Sequence, residues 1–249
     1  MNEAQSFEQF KEALRLMEIG ENEVIYLINS AKELQNIFQV NQYLDILLSS
    51  IPESCTLVMQ TFNWDFCKGK NFSSQKTPSQ TGLMSELYRR MDGVIRSPHP
   101  IYSFCAKGPM AEEICQHDGE TCWGDNTPFE KLVEKNALIL NFAKDFPLGI
   151  TLIHRFEQIK RVPYRFFKTF QGIVDFGNGE REYETKKYVR DLTMNKKCNW
   201  EAAAHLLRER RLVKFFHIGF SVSVVRAKDF ENVFYECLER DPEIFLIKG

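Results

Sequence analysis

The feature that most constrains this chain is the alternation of two apolar periods within its first 62 residues. Glu23–Asn29 (EVIYLIN) and Cys55–Phe62 (CTLVMQTF) are short, dense apolar runs bounded by polar residues. Runs of that length, rich in β-branched and aromatic side chains, read as buried strands. Before the first, residues 6–19 place Phe7, Phe10, Leu14 and Met17 three or four apart. Between the two, residues 31–50 do the same through Leu34, Ile37, Phe38, Leu44, Leu47 and Leu48. That spacing gives each segment one apolar helical stripe. Helix, strand, helix, strand predicts a layered, mixed α/β architecture.

Further along, Ala137–Ala143 (ALILNFA) and Gly149–Ile153 (GITLI) are strand candidates joined by a turn at Asp145–Gly149, and His217–Val225 is another. Ser85–Arg90, Glu201–Arg211 and Phe230–Arg240 carry helical spacing, the last closed by Pro242. Two stretches, 63–82 and 92–109, are rich in Gly, Ser, Thr and Pro and read as long loops, a length that usually marks function. No Ser/Gly/Pro linker or repeat interrupts the 249 residues, so one domain spanning 1–249 is expected. The 21 phenylalanines supply ample core.

Composition excludes several classes. With 32 basic and 34 acidic residues the net charge is -2, which gives no case for nucleic-acid or membrane-surface binding. No run of ~18 apolar residues suggests a membrane span. The amphipathic N-terminus lacks a hydrophobic signal core. Seven scattered cysteines, an odd number, fit reduced thiols and a cytoplasmic setting.

Three segments hold the residue types of chemistry. In TLIHRFE (Thr151–Glu157), His154 follows an apolar run and Glu157 comes three residues later. On a helix or turn that carboxylate folds back onto the imidazole and raises its basicity, the layout of a general base. A structural histidine at a strand end is the competing reading. In RSPHPIYSFCAKGP, the side chains Arg96, Ser97, His99 and Ser103 crowd into eight residues among prolines, a composition suited to phosphate binding or to a capped surface loop. TPSQTG (77–82) offers the hydroxyls of Thr77 and Ser79 for a substrate but lacks the lysine and spacing of a phosphate-binding P-loop. Cys105, near His99 in sequence, is a weak candidate nucleophile. Cys115, His117 and Cys122 form a loose C-x-H-x4-C cluster where structural zinc sites show two tight pairs, so no metal is expected.

Taken in order, TLVMQTFNW (56–64), TPSQTG (77–82), GVIRSPHPIYSFCAKGP (93–109), TLIHRFE (151–157) and VPYR (162–165) resemble the aminoglycoside 3-N-acetyltransferase family, also called the antibiotic N-acetyltransferases. The resemblance runs from residue 24 to about 225. It implies a single-domain three-layer α/β/α fold with a mixed central sheet, distinct from the common GNAT fold. It implies acetyl-coenzyme A as cosubstrate and a sugar amine as acceptor. It carries the general-base role to His154 with Glu157 as partner, and places the Arg96–Ser103 loop on the coenzyme side. The chain departs from the family at LINSA (27–31), where a V-H-S-S-L motif is usual. Asn29 and Ser30 keep a polar pair there for the coenzyme, and a catalytically silent coenzyme A-binding protein is one reading of the change. Asn141 stands where a glycine often ends the strand.

An attacking amine must lose a proton, which an imidazole titrating near 6.5 accepts at little cost. The thioester oxygen then needs a donor, for which Thr151 is a candidate. Between Arg155 and Arg190 lie nine Lys/Arg and five Asp/Glu. A positive field there favours an anionic acceptor held by residues such as Lys160, Arg161 and Arg165, so a nucleotide-linked amino hexose is the first expectation and an aminoglycoside the second.

Overall fold

A computed structural model describes residues 3–29, 37–143, 145–194, 196–217 and 221–247. In chain order the elements are α1 (Glu3–Leu16), β1 (Val24–Asn29), α2 (Ile37–Ser50), β2 (Thr56–Gln60), β3 (Phe72–Ser73), α3 (Leu83–Tyr88), β4 (Ile95–Arg96), β5 (Phe104–Lys107), α4 (Ala111–Cys115) and α5 (Pro128–Glu134). They continue as β6 (Leu138–Phe142), α6 (Leu152–Ile159), β7 (Arg165–Asp175), β8 (Glu180–Arg190), α7 (Glu201–Glu209), β9 (Val213–His217), β10 (Ser221–Arg226) and α8 (Ala227–Arg240).

The strand periodicity of two decides the layers. In β1, Ile25 and Leu27 point into one core with Leu57 and Met59 of β2 and Leu138 and Leu140 of β6. The alternate residues, Val24, Tyr26 and Ile28 with Val58 and Ile139, enter the opposite core. A strand buried on both faces reads as an unbroken apolar run, which is what EVIYLIN is. The helices divide accordingly. Phe10 and Leu14 of α1, Leu44 and Leu47 of α2 and Met84 and Tyr88 of α3 seal the first face. Ile114 of α4, Phe129 and Leu132 of α5, Phe156 of α6 and Phe230 and Phe234 of α8 seal the second. The result is the expected three-layer α/β/α arrangement.

The central sheet has seven strands in the order β4-β5-β2-β1-β6-β10-β9. β1 lies parallel to both β2 and β6, while β5 and β10 run antiparallel to their neighbours, so the sheet is mixed. A second sheet, β3-β7-β8, is dominated by a hairpin of two eleven-residue strands pairing Arg165 with Arg190 through to Asp175 with Glu180. That hairpin is tied to the body by the Cys122 N–H on the Lys186 carbonyl at 2.9 Å and the Tyr188 hydroxyl on the Val162 carbonyl at 2.7 Å.

Several expectations are corrected. GITLI is not a strand: Gly149 and Thr151 are turn residues on either side of Ile150, and Leu152 and Ile153 open α6. Its apolar residues continue at helical spacing to Phe156, and a five-residue apolar run alone does not distinguish the two. The stretch 92–109 contains β4 and β5, because FCAK pairs antiparallel with β2. Between Arg165 and Arg190, where no element is expected from the sequence, β7 and β8 form the hairpin. His217 ends β9 and does not open the next strand, and residues 218–220 lie outside the described residues, as do 31–36 of the helix expected over 31–50. Among the described residues, no helix is long and apolar enough to cross a membrane.

Candidate active site

The parallel strands β1, β2 and β6 end on one edge of the sheet, the edge where α/β folds gather function. The β6–α6 connection crosses this edge. Asn141, fully buried on β6, donates from Nδ2 to the Leu148 carbonyl at 3.0 Å and so holds the turn that launches α6. Gly149 in that turn has φ +86° and lies where a Cβ would stand 3.1 Å from Ile28 Cγ2. Close approach and a left-handed backbone both favour glycine here.

On α6 the i,i+3 spacing brings His154 and Glu157 together. His154 Nδ1 lies 2.8 Å from Glu157 Oε2. The Glu157 side chain has no exposed surface, whereas the imidazole is 27% exposed. Tyr164 donates its hydroxyl to Glu157 Oε1 at 3.0 Å, and Arg165 Nη2 donates to Oε2 at 2.9 Å. Desolvation pulls the Glu157 carboxyl upward, but His154, Arg165 and Tyr164 outweigh it and hold the group below its ordinary range. It is therefore a carboxylate at neutral pH, an acceptor only, and His154 carries its proton on Nδ1. The Nε2 lone pair is left for chemistry. Desolvation also pushes the imidazole below its ordinary value, against the pull of Glu157. A neutral, partly exposed, oriented imidazole is the resting form of a general base.

Arg155 locks the wall of this site. Its Nη1 donates to the carbonyls of Trp123 (3.0 Å) and Gly124 (2.6 Å), and its Nη2 reaches Glu130 at 3.1 Å and Asp125 at 3.3 Å. One turn from His154, Gln158 Nε2 donates to Thr121 Oγ1 at 2.8 Å. The segment so held lays the Trp123 ring 5.1 Å from the His154 ring, and Trp200 approaches from another side at 6.5 Å. Two of the chain's three tryptophans thus flank one histidine, a signal of residue rarity that the motif reading passed over. Thr151 sits at the start of α6, its hydroxyl 3.4 Å from both Gln60 Oε1 and the Gly149 carbonyl. Gln60 is held in turn by the Tyr26 hydroxyl at 2.9 Å.

A sequence-family model described as aminoglycoside 3-N-acetyltransferase matches residues 30–239. The chain belongs to that family. Among curated members, aminoglycoside N(3)-acetyltransferase IX of Micromonospora chalcea is 33% identical over 102 residues, 40% of this chain and 35% of that one. The acetyltransferase-like protein YokD of Bacillus subtilis strain 168 is 34% identical over 107 residues, 41% of this chain and 38% of that one. These matches span little more than a third of either relative's length. Structures of the family superpose over nearly the whole chain. Aminoglycoside acetyltransferase AAC(3)-IVa as apoenzyme gives a TM-score of 0.79 at 19% identity, covering 98% of this chain and 92% of that one. The same enzyme in complex with a gentamicin gives 0.80 at 20% identity, covering 97% and 91%. AAC-IIIb with CoASH gives 0.73 at 16% identity, covering 94% and 96%. At such identities the likeness concerns the fold.

The aminoglycoside 3-N-acetyltransferase motifs occupy distinct places. In the Arg96–Ser103 loop the side chains of Ser97, His99 and Ser103 have no exposed surface. Arg96 spends its donors on Ser103 Oγ (3.0 Å) and on the carbonyls of Ser74 (3.0 Å), Thr77 (2.6 Å) and Thr61 (2.9 Å), with its guanidinium over the Phe72 ring. Ser97 Oγ accepts the Phe104 N–H, and His99 Nδ1 accepts those of Ile101 and Tyr102. The loop's polar side chains are struts between the 61–77 segment and β5, not an open anion cradle. Asn29, at the end of β1, donates to Ser85 Oγ at 3.0 Å and packs against Gly82. Ser30 lies outside the described residues. Thr77 Oγ1 accepts the Ser73 N–H at 2.8 Å, and the Ser79 hydroxyl pairs with that of Thr81 at 2.8 Å.

The basic residues expected to hold an anion are dispersed. Lys160 pairs with Glu239 and lies over the Tyr235 ring. Arg161 stacks on Phe167, and Arg165 is buried against Glu157. Cys115 faces the carbonyls of Ile95 and Phe104, Cys122 faces Thr185, and His117 stacks on His99. Among the described residues no group of three or more His, Cys, Asp or Glu is placed to hold a metal.

Proposed function

We propose that the protein is an acetyl-coenzyme A-dependent N-acetyltransferase acting on an amine of a polycationic, aminoglycoside-like amino sugar by direct transfer. The observation that carries this reading is the His154–Glu157 contact at 2.8 Å, with the imidazole still partly exposed beside two tryptophans. Family membership supplies the reaction class.

His154 Nε2 takes the proton of the amine as its nitrogen attacks the thioester carbonyl, and returns it to the departing thiolate, leaving an amide and free coenzyme A. Glu157 orients the ring and stabilises the imidazolium in between. Among the described residues the Thr151 hydroxyl has two long contacts, both 3.4 Å, weak enough to be exchanged for the developing oxyanion. The residues suited to the thioester end of the coenzyme lie along the same edge, at Thr151 and at the end of β1. Arg96, Ser97, His99 and Ser103 act behind them as scaffold.

The acceptor's charge follows from the surroundings of α6. The nucleotide-linked acceptor loses its basis, since Lys160 and Arg165 already have carboxylate partners. Beside Gln158, one turn from His154, a cleft of about 410 Å³ is lined by Asp118, Glu120 and Asp125 together with Arg161. Asp125 also faces Arg155 at 3.3 Å, so it is Asp118 and Glu120 that outnumber Arg161 there, an acidic balance that attracts ammonium groups. A gentamicin is bound by one structural relative and sisomicin by another.

The test follows thiol release from acetyl-coenzyme A with gentamicin- or sisomicin-like acceptors, simple amino hexoses and nucleotide-linked amino hexoses. Turnover is expected with the polycations, and added salt should raise their KM. Turnover confined to nucleotide-linked sugars would overturn the acceptor assignment. Coenzyme A binding without turnover of any amine would overturn the enzymatic one.

A further inference from the structure

Arg165 is eleven residues beyond His154 and on a different element, the first position of β7. Its Nη2 is nevertheless 2.9 Å from Glu157 Oε2 and 3.1 Å from His154 Nδ1, while Nη1 donates to the Tyr188 carbonyl of β8 at 3.1 Å. Neither a guanidinium nitrogen nor a protonated Nδ1 accepts a hydrogen bond. The two donors stand 3.1 Å apart because both address the same carboxylate oxygen.

We propose that Arg165 is a positioning residue of the base: by sharing Glu157 Oε2 with His154 it balances the buried carboxylate and keeps the imidazole unprotonated with Nε2 outward. The inference rests on His154 as the base. Its logic is one of charge. Glu157 is fully enclosed, and a lone buried carboxylate is costly. With Arg165 in place the cluster of Glu157, Arg165 and neutral His154 carries no net charge. Without it, the field of Glu157 is relieved most readily by protonating His154, which then has no lone pair for the amine. Tyr164 cannot substitute, because its hydroxyl donates a proton it does not give up, and burial raises its pKa further.

The other charged group facing His154 is Lys187 on β8. It lies over the rings of Tyr102 (5.0 Å) and Trp123 (5.8 Å), and it too disfavours the imidazolium. Among the described residues the hydrogen-bond and ion-pair partners of Glu157 are His154, Tyr164 and Arg165, so Lys187 acts on the imidazole from outside that cluster. Both cations are delivered by the β7–β8 hairpin, so the base is complete only when the hairpin is docked.

The experiment combines a proton NMR titration of His154, assigned by loss of its resonance in His154→Gln, with the pH profile of kcat/KM. The proteins compared are the parent, Arg165→Lys, Arg165→Met and Arg165→Gln. Loss of a cation at this distance should raise the His154 pKa by about one unit or more, and the acid limb of the rate profile should move up with it. Along the acid limb the neutral variants should then lose more activity than at about pH 8.5, the difference growing toward about tenfold well below both pKa values, the limit that a one-unit shift sets. Arg165→Lys should stay close to the parent. Should the methionine variant fail to fold, the glutamine variant, which keeps hydrogen-bonding capacity without charge, gives the same readout. A folded neutral variant with an unshifted His154 pKa and a pH-independent loss would overturn the proposal. If His154→Gln itself keeps full turnover while the NMR shift is present, the base assignment fails and the electrostatic coupling stands, so the two failures are distinguishable.

Discussion

His99 and His117 stack with ring centroids 4.4 Å apart and planes inclined by 23°, enclosed between the 97–103 loop and β8. His99 has one tautomer open to it. Its Nδ1 accepts two backbone N–H groups, so Nε2 carries the proton and donates to Thr185 Oγ1 at 3.2 Å. Among the described residues, neither ring nitrogen of His117 has a partner. Burial pushes the His117 imidazole down to about 4 and that of His99 well below its ordinary value.

The pair should therefore make the fold acid-labile. An unfolded imidazole titrates near 6.5, so between that value and the folded one the unfolded state binds more protons. Stability is complete above about pH 6.5 and drains as pH falls. For His117 the difference is worth roughly 3 kcal/mol by about pH 4. Urea unfolding at about pH 7.5 and about pH 4.5, on either side of most of that window, should show the loss, and His117→Phe should reduce it. An acid loss unchanged in that variant would assign it to carboxylates instead.

Replacement of the base should be severe. His154→Ala is expected to lower kcat by roughly 100- to 10,000-fold with the fold intact. Glu157→Gln keeps the shape and loses the charge, and should cost about 10- to 100-fold. Steady-state rates with circular dichroism on the same samples check both, and a Glu157→Gln effect larger than that of His154→Ala would contradict the assigned roles.

Arg96 should matter to stability more than to coenzyme binding. Arg96→Met strands three carbonyls and the Ser103 hydroxyl in a buried site and should cost about 3 kcal/mol in chemical denaturation. Calorimetry on the folded fraction should give a coenzyme A affinity within about threefold of the parent, since roughly 0.7 kcal/mol is the most an indirect strut should transmit. A large loss of affinity without a loss of stability would return the loop to direct phosphate contact.

No acetyl-cysteine should form at Cys105. Its side chain has no exposed surface, and burial pushes the thiol up to about 11. Few thiolates exist at neutral pH in such a site. Cys105→Ala should retain activity, and double-reciprocal plots should intersect. Parallel plots, or acetylated Cys105 after incubation with donor alone, would establish a covalent route.

The central strands were legible because β1, β2 and β6 are covered on both faces and so read as unbroken apolar runs. The hairpin was not. In Glu180–Arg190 the charged residues alternate with Tyr183, Thr185 and Val189, and a ribbon exposed along one face resembles a charged loop when read by composition. FCAK was missed because four residues are too few to show a period, and its strand character comes from pairing with β2.

The candidate site divides in the same way. The neighbourhood of His154 and Glu157 follows from three residues of helix and needs no tertiary information. That Glu157 is enclosed, that Arg165 and Tyr164 reach it, and that Trp123 and Trp200 wall the imidazole depend on how a hairpin and two remote segments pack. The Arg96–Ser103 loop shows the limit most clearly. Arginine, serine and histidine in a rigid loop are the chemistry of an anion site and equally of an internal strut, because both tasks ask for the same donors. Only burial separates them, and burial is a property of what the rest of the chain lays over the loop. Local periodicity and short spacings determined the α/β layering and the His154–Glu157 pair, since both arise from backbone geometry within a few residues. Packing of distant segments decided the charge, access and partners of each polar group, since desolvation and Coulomb energies act through space and not along the chain.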